Sequence, residues 1–413
     1  MSIEVVAAIV FAIALVHTFA TKYFEHLAHQ HPRHAGLFHL LGEVEVVFGF
    51  WAAILILLMA VWEGGDQALA YAESRQYTEP LFVFVIMVVA GSRPVLDAIK
   101  ATVAAIAQRL PVPAALAQAW LCLALVPLLG SLVTEPAAMT LAALMLAPLV
   151  FRPGVPERLK YGALGVLFVN ISIGGTLSSF AAPPVLMVAS AWQWDSAFMA
   201  TQFGWKAAIA VLVNASGICW LLRPHLAKLP APAPTAAAVP AWVVAIHFAF
   251  LGAVITFAHH PVIFLGLFLL FLGFAQAYER HQSPLIVKEA LLVAFFLAGL
   301  VVLGGLQQWW LQPIVSTLPP LALYFSAMAL TAITDNAALT YLGSLIEGIS
   351  EPAKYMLVAG AVAGGGLTVI ANAPNPAGVA LLKRGFEDES IGAGGLLLGA
   401  LPPTAVAAVM FLL

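Results

Sequence analysis

Thr134-Glu135-Pro136-Ala137-Ala138-Met139-Thr140 sets one carboxylate among small apolar residues, and Thr334-Asp335-Asn336-Ala337-Ala338-Leu339-Thr340 repeats it at an offset of 200. The heptads agree at Thr, acid, Ala, Ala, a large apolar residue and Thr. A repeated acidic motif in so apolar a chain points to a membrane transporter built from two related halves.

Composition agrees. Of 413 residues, 62% are hydrophobic and only 9% charged, and the mean hydropathy is +0.99. Soluble domains carry about 25% charge. A net charge of −3 gives no reason to expect nucleic-acid binding. Cys122 and Cys219 lie in apolar runs with neither disulfide-framework nor metal-ligand spacing. No polar segment is long enough to fold alone. The first apolar run, 5–20, is preceded by Glu4 and by no Lys or Arg, so it reads as a retained span and not a signal peptide.

A bilayer crossing needs about 20 mostly apolar residues. Candidate spans are 3–21, 39–62, 80–100, 160–190, 198–222, 240–258, 261–278, 287–306, 353–382 and 391–413. Residues 114–151 and 319–348 are apolar too, but each is interrupted by an acidic heptad. Each forms either two full spans or one re-entrant hairpin, and both choices leave the downstream topology unchanged. The Pro/Ala-rich stretch 223–239 reads as a cytoplasmic linker. It divides a first half, 1–222, from a second, 240–413.

Lys and Arg concentrate in cytoplasmic loops. With both termini outside, fourteen of the seventeen fall in cytoplasmic segments, and only Arg75, Lys206 and Lys354 fall outside. The first acidic motif then enters from the cytoplasm and the second from the opposite face. The halves are thus expected to be inverted-topology repeats. Other segments recur in the same order. Glu157-Arg158-Leu159-Lys160-Tyr161 matches Glu351-Pro352-Ala353-Lys354-Tyr355. Gly174-Gly175-Thr176-Leu177-Ser178-Ser179 leads to Pro183-Pro184, as Gly365-Gly366-Leu367-Thr368 leads to Asn372, Pro374 and Asn375.

Spans 160–190 and 353–382 are too long for one straight crossing and carry a Gly pair followed by prolines. Gly costs a helix about 1 kcal/mol and Pro about 3, so each is expected to unwind in the middle. Unwound backbone at membrane depth must line a cavity or be buried in protein, and its carbonyls can coordinate ions. Ser172, Gly175, Thr176, Ser178 and Ser179 in one half, and Thr368, Asn372 and Asn375 in the other, offer hard oxygen ligands suited to sodium. Thr134, Thr140, Thr334, Asn336 and Thr340 add more around the acids.

Glu135 and Asp335 are the costly residues, because a carboxylate at membrane depth defaults to a functional role. Thr134 and Thr334-Asp335-Asn336 also look like helix N-caps, with Pro136 in the first turn. A helix N-terminus favours the ionised acid and burial the neutral one. Sodium and a proton can then displace each other at Glu135, Asp335 and Asn336. Glu45 is a further candidate. Asp97 is expected to pair with Arg93 at the interface, and Glu289 sits at a span entrance. His17, His26, His29, His31, His34 and His39 cluster in what reads as a cytoplasmic loop, where they sense pH, bind a stray transition metal or are simply solvated. His259-His260 occupies an external turn.

The motifs resemble those of the ion transporter superfamily, which holds NhaD-type sodium/proton antiporters, arsenite pumps, citrate carriers and divalent-anion/sodium symporters. The likeness covers most of the chain and is nearest a bacterial group of sodium/proton antiporters. Asp335-Asn336 resembles the Asp-Asn pair of NhaD-type hairpins, and Gly174-Gly175-Thr176 with Pro183-Pro184 resembles a Gly-Gly-Thr…Pro segment. The resemblance implies a homodimer with a scaffold and a transport domain moving elevator-fashion. Carboxylate carriers typically have Ser-Asn-Thr tips. Glu135 and Asp335 stand there instead, which favours a cation.

The fold expected is an all-α polytopic membrane protein of two inverted repeats, each with a re-entrant hairpin and a broken helix. It would sit multi-pass in the cell (inner) membrane. The leading functional expectation is a secondary antiporter exchanging sodium or lithium for protons, with no cofactor and with sodium as substrate. The alternative is a sodium-coupled carrier of a small organic or inorganic anion. That carrier would want a core cation, and no Lys or Arg lies in either motif. A channel or membrane scaffold is disfavoured by the repeat, and no ATP-binding or catalytic motif suggests an enzyme.

Overall fold

Lipid offers no partner for backbone N–H and C=O groups, so spanning segments must satisfy them internally. Among the residues described by the computed structural model (2–227, 229 and 239–413), the regular elements are all helical. The first half comprises α1 (Ile3–Gln30), α2 (Ala35–Gly42), α3 (Val44–Trp62), α4 (Gly65–Glu73), α5 (Thr78–Ala90), α6 (Arg93–Arg109), α7 (Ala114–Leu123), α8 (Leu125–Val133), α9 (Glu135–Leu146), α10 (Glu157–Gly174), α11 (Pro183–Trp192), α12 (Ser196–Met199) and α13 (Trp205–Leu226). The second comprises α14 (Ala241–Thr256), α15 (Pro261–Ala277), α16 (Val287–Gly304), α17 (Gln308–Val315), α18 (Pro320–Thr331), α19 (Asn336–Ser344), α20 (Glu351–Gly364), α21 (Asn375–Leu382) and α22 (Ala393–Leu412). Six helical segments are long and apolar enough to cross a membrane, or eight if each bent pair counts as one span. The chain is a multi-pass helical membrane protein.

Three expectations change. The span 80–100 is not one straight helix: α5 and α6 meet at a 61° bend around Gly91-Ser92. Arg93 and Asp97 do pair there, at 3.1 Å, with Lys100 on the same carboxylate. The histidine-rich segment is mostly helical, since α1 runs on to Gln30 and carries His17, His26 and His29. His17 is buried, with Nε2 2.9 Å from Leu41 O and the Trp51 indole donating to Nδ1. Of the linker 223–239, the first residues continue α13 as far as Leu226, and most of the remainder lies outside the described residues.

Both apolar regions that carry acids fold as pairs of short arms. Helices α9, α18 and α19 have 12, 12 and 9 residues. At 1.5 Å per residue none reaches across about 30 Å of hydrocarbon. These three arms are too short to cross alone, whereas α7 and α8 together are long and apolar enough to count as one span. The first arm of the first hairpin is itself bent by 42° between α7 and α8. Asn170 Nδ2 caps the carbonyl freed there, on Leu123, at 2.8 Å.

The long helices break where glycine meets proline. Helix α10 ends at Gly174, a short 3-10 turn follows, and helix resumes at Pro183. Helix α20 ends at Gly364 and resumes at Asn375. Glycine also lets helices touch: a Cβ on Gly165 of α10 would strike the backbone of Gly399 in α22. The packing is reciprocal. Helix α9 lies on α21 and α19 lies on α11, so each hairpin's second arm covers the far half of the other half-chain's broken helix.

Candidate ion site

The breaks leave carbonyls and amides inside the protein, and polar side chains collect there to satisfy them. Around the first break, Ser131 of α8 donates to Gly174 O at 2.7 Å and accepts from Leu177 N at 2.9 Å. Ser178 donates to Ser131 O at 2.6 Å. Around the second, Asn375 Nδ2 donates to Gly365 O and Thr368 O, at 2.8 and 2.9 Å. Thr368 donates to Ala332 O, and Ala371 O accepts from Asn336 N. Each break is thus stitched to a hairpin.

Glu135 opens α9 and is fully buried. Its Oε2 accepts from Asn372 Nδ2 at 2.8 Å, across the boundary between half-chains, while Oε1 has no hydrogen-bond partner. Gly175 makes room for the carboxylate: a Cβ there would lie 2.6 Å from Glu135 Oε1. The preceding residue, Thr134, sits at φ 77°, ψ 151°. That backbone region belongs almost wholly to glycine and costs on the order of 1–3 kcal/mol. Thr134 stands at the N-cap position but its buried Oγ1 bonds to nothing, so it does not cap as its type suggests.

Asp335 does cap. Its Oδ1 accepts from Ala337 N and Ala338 N at 2.8 and 3.2 Å. Asn336, fully buried, reaches the other half-chain's broken helix, with Nδ2 3.5 Å from Ser172 Oγ, which itself donates to Val362 O. Gly365 leaves the space for that crossing. Asp335, Thr334 and Asn372 line one cavity of about 30 Å³. Asn372 therefore touches Glu135 on one side and faces Asp335's cavity on the other.

The centre thus gathers Glu135, Asp335, Asn336, Ser172, Gly175, Asn372 and Thr334. The buried Oδ1 atoms of Asn336, Asn372 and Asn375 lack partners, which leaves several hard oxygens for a small cation. Other candidates serve local structure. Thr176 donates to Ile173 O, Thr340 to Ala337 O, and Ser179 pairs with Ser196. Thr140 is half-buried on α9. Among the described residues no group of three or more His, Cys, Asp or Glu is arranged to hold a metal ion.

Sequence reasoning missed Ser131, Thr331, Asn170 and Asn214. Thr331 Oγ1 is buried without a partner, and Asn214 donates to Asn170 Oδ1 at 2.9 Å. A lone amide in an apolar span is signal enough, because burying one without a partner costs about 1–3 kcal/mol.

A family model described as "Putative Na+/H+ antiporter" matches residues 2–413. No curated protein sequence matches the chain. Among solved structures, that of the Alcanivorax borkumensis YdaH transporter, described as having an unusual topology, aligns with a TM-score of 0.46 at 16% identity, over 89% of this chain and 96% of that one.

Proposed function

The chain belongs to this sodium/proton antiporter family, and from that premise we propose that it exchanges sodium or lithium for protons by alternating access, with Glu135 and Asp335 as the exchanging acids. Glu135 carries the reading: a fully buried carboxylate with one oxygen held by the Asn372 amide and the other unpartnered. An acid so placed is stable when it holds either a proton or a metal cation, and unstable when it holds neither. Arrival of one ion therefore releases the other.

The two halves act as inverted repeats. Three observations support this. The second arms pack reciprocally. Each Glu-x-x-Lys-Tyr segment makes the same ion pair, Lys160 with Glu157 at 2.7 Å and Lys354 with Glu351 at 2.5 Å. Each tyrosine then reaches an opposite end of α22, Tyr161 at Gly392 N and Tyr355 at Phe411 O. Hairpins and broken helices move together, elevator-fashion, against α1, α3 and α16. The homodimer is carried over from the resemblance to the superfamily. The Lys/Arg distribution supports both termini being external, and membership of the antiporter family supports placement in the cell (inner) membrane.

Sodium-driven proton movement in proteoliposomes tests the reading. Wild type should exchange, and Glu135→Gln and Asp335→Asn should each lose at least about tenfold. Wild-type rates in both variants would remove the acids from the mechanism.

A further inference from the structure

We propose that Glu45 is a further ligand of the transported cation, and that it forms with Asp335 and Asn372 a site lying across the seam between two groups of helices. The proposal rests on the antiport reading for the identity of the cation, but not for the existence of the site.

Glu45 lies in the first turn of α3 and lines the same cavity as Asp335, Thr334 and Asn372. The rest of the lining is mostly apolar, with Phe48, Val293, Phe296 and Val369 among it, and no Lys or Arg contributes. Two carboxylates facing one apolar space repel each other, and a cation between them reverses the sign of both interactions. The volume of about 30 Å³ suits one small ion with at most a water or two, since one water needs about 10–15 Å³.

The acids are not the only pointer. Asn372 is 1% exposed, its Nδ2 is committed to Glu135, and its Oδ1 has no partner. Asp335 spends Oδ1 on two backbone amides, which leaves Oδ2 for the cavity. Thr334 donates to Leu330 O at 2.9 Å, so its lone pairs also remain available. Glu45, Asp335, Asn372 and Thr334 together supply hard oxygens only, the donor set of a hard cation rather than a soft metal.

Position gives the site its consequence. Helix α3 packs chiefly on α1, α2, α4 and α16, whereas Asp335 and Asn372 belong to the second hairpin and second broken helix. Any displacement of the second set past the first pulls Glu45 away from the ion. Affinity is then high in one position of the moving part and low in the other, as a carrier needs if it is to release what it has bound.

The test uses purified full-length protein, titrated with sodium chloride by calorimetry and assayed in proteoliposomes. Glu45→Gln should raise the apparent sodium KM at least about tenfold, Glu45→Asp should restore part of the loss, and Glu43→Gln should resemble wild type. A wild-type sodium KM and binding isotherm in Glu45→Gln would overturn the site. A wild type that binds sodium but does not exchange it, with binding lost in Glu45→Gln, would sink antiport and keep the site. Leu15→Cys, on the cavity wall, gives a readout that leaves Glu45 intact: sodium should slow its reaction with a small thiol reagent. No protection at saturating sodium would also overturn the proposal.

Discussion

Glu135 and Gly175 form one unit, because the carboxylate occupies the space that any side chain at 175 would fill. Gly175 has φ −71° and ψ −9°, a helical conformation open to alanine. Gly175→Ala therefore strains no backbone, yet its Cβ would stand 2.6 Å from Oε1 and 2.8 Å from Cγ of Glu135. The carboxylate must move away from Asn372. We expect a folded protein with exchange reduced at least about tenfold, assayed in proteoliposomes beside a thermal melt. Wild-type exchange with an unchanged melt would show that the position of Glu135 is unimportant. At this scale the sequence was informative about costly residues and poor about partners. Glu135 and Asp335 stand out because charge is rare in the chain. That Asn372 holds Glu135 could not be read, since the contact joins residues 237 apart in sequence. The uncapped, positive-φ Thr134 could not be read either. Threonine before an acid and proline predicts an ordinary N-cap, and only the packing of the tip overrides it.

Helix breaks were the most legible elements, because Gly and Pro act locally and their costs do not depend on distant residues. Two bends beside proline escaped the reading. The turn at Gly91-Ser92 is followed by Pro94 in the first turn of α6, and the kink between Leu123 and Leu125 lies where Pro127, with no N–H, leaves the Leu123 carbonyl without its helical donor. Asn170 takes that carbonyl, and Asn170 is in turn held by Asn214. The widened turn Ala200–Gly204, which packs against the 3-10 turn of the first broken helix, has no sequence signal at all. Close helix crossings follow the small-residue rule of membrane packing, and one of them gives a test. In the α10–α22 contact a Cβ on Gly165 meets Gly399, and one on Gly399 meets Tyr161 O. Backbone cannot yield as a flexible side chain does. Gly165→Leu should cost about 1–3 kcal/mol or more through overpacking, read as a lowered melting midpoint. Gly217→Ala, at a glycine inside α13 with open space around it, should keep or raise the midpoint, since alanine favours helix by up to about 1 kcal/mol. Equal melting of the two variants would contradict the crossing.

At the scale of the molecule, the helices form two sets, with Tyr341 of α19 donating to Val301 O of α16 between them. Helices α1, α3 and α16 pack on one another, while α9, α10, α11, α19, α20, α21 and α22 interlock around the breaks. The cavity shared by Leu15, Glu45, Ile333 and Asp335 lies on the seam between them. If exchange requires the second set to move, a covalent tie across this seam must stop it, whereas the same residues unlinked should not. Cys122 and Cys219 are both buried, so introduced thiols can be addressed against a quiet background. Leu15→Cys with Ile333→Cys, joined by a short cleavable thiol crosslinker, should lose exchange in proportion to the fraction crosslinked. Cleaving the linker should restore it, and either single variant treated with the same reagent should keep most of its rate. The apolar lining keeps both positions tolerant of a small polarizable side chain. Full exchange in the crosslinked double variant would mean that tip and scaffold keep one arrangement throughout the cycle. Ions would then have to reach Asp335 from both faces without displacement of the hairpin, and the seam would be a fixed packing surface.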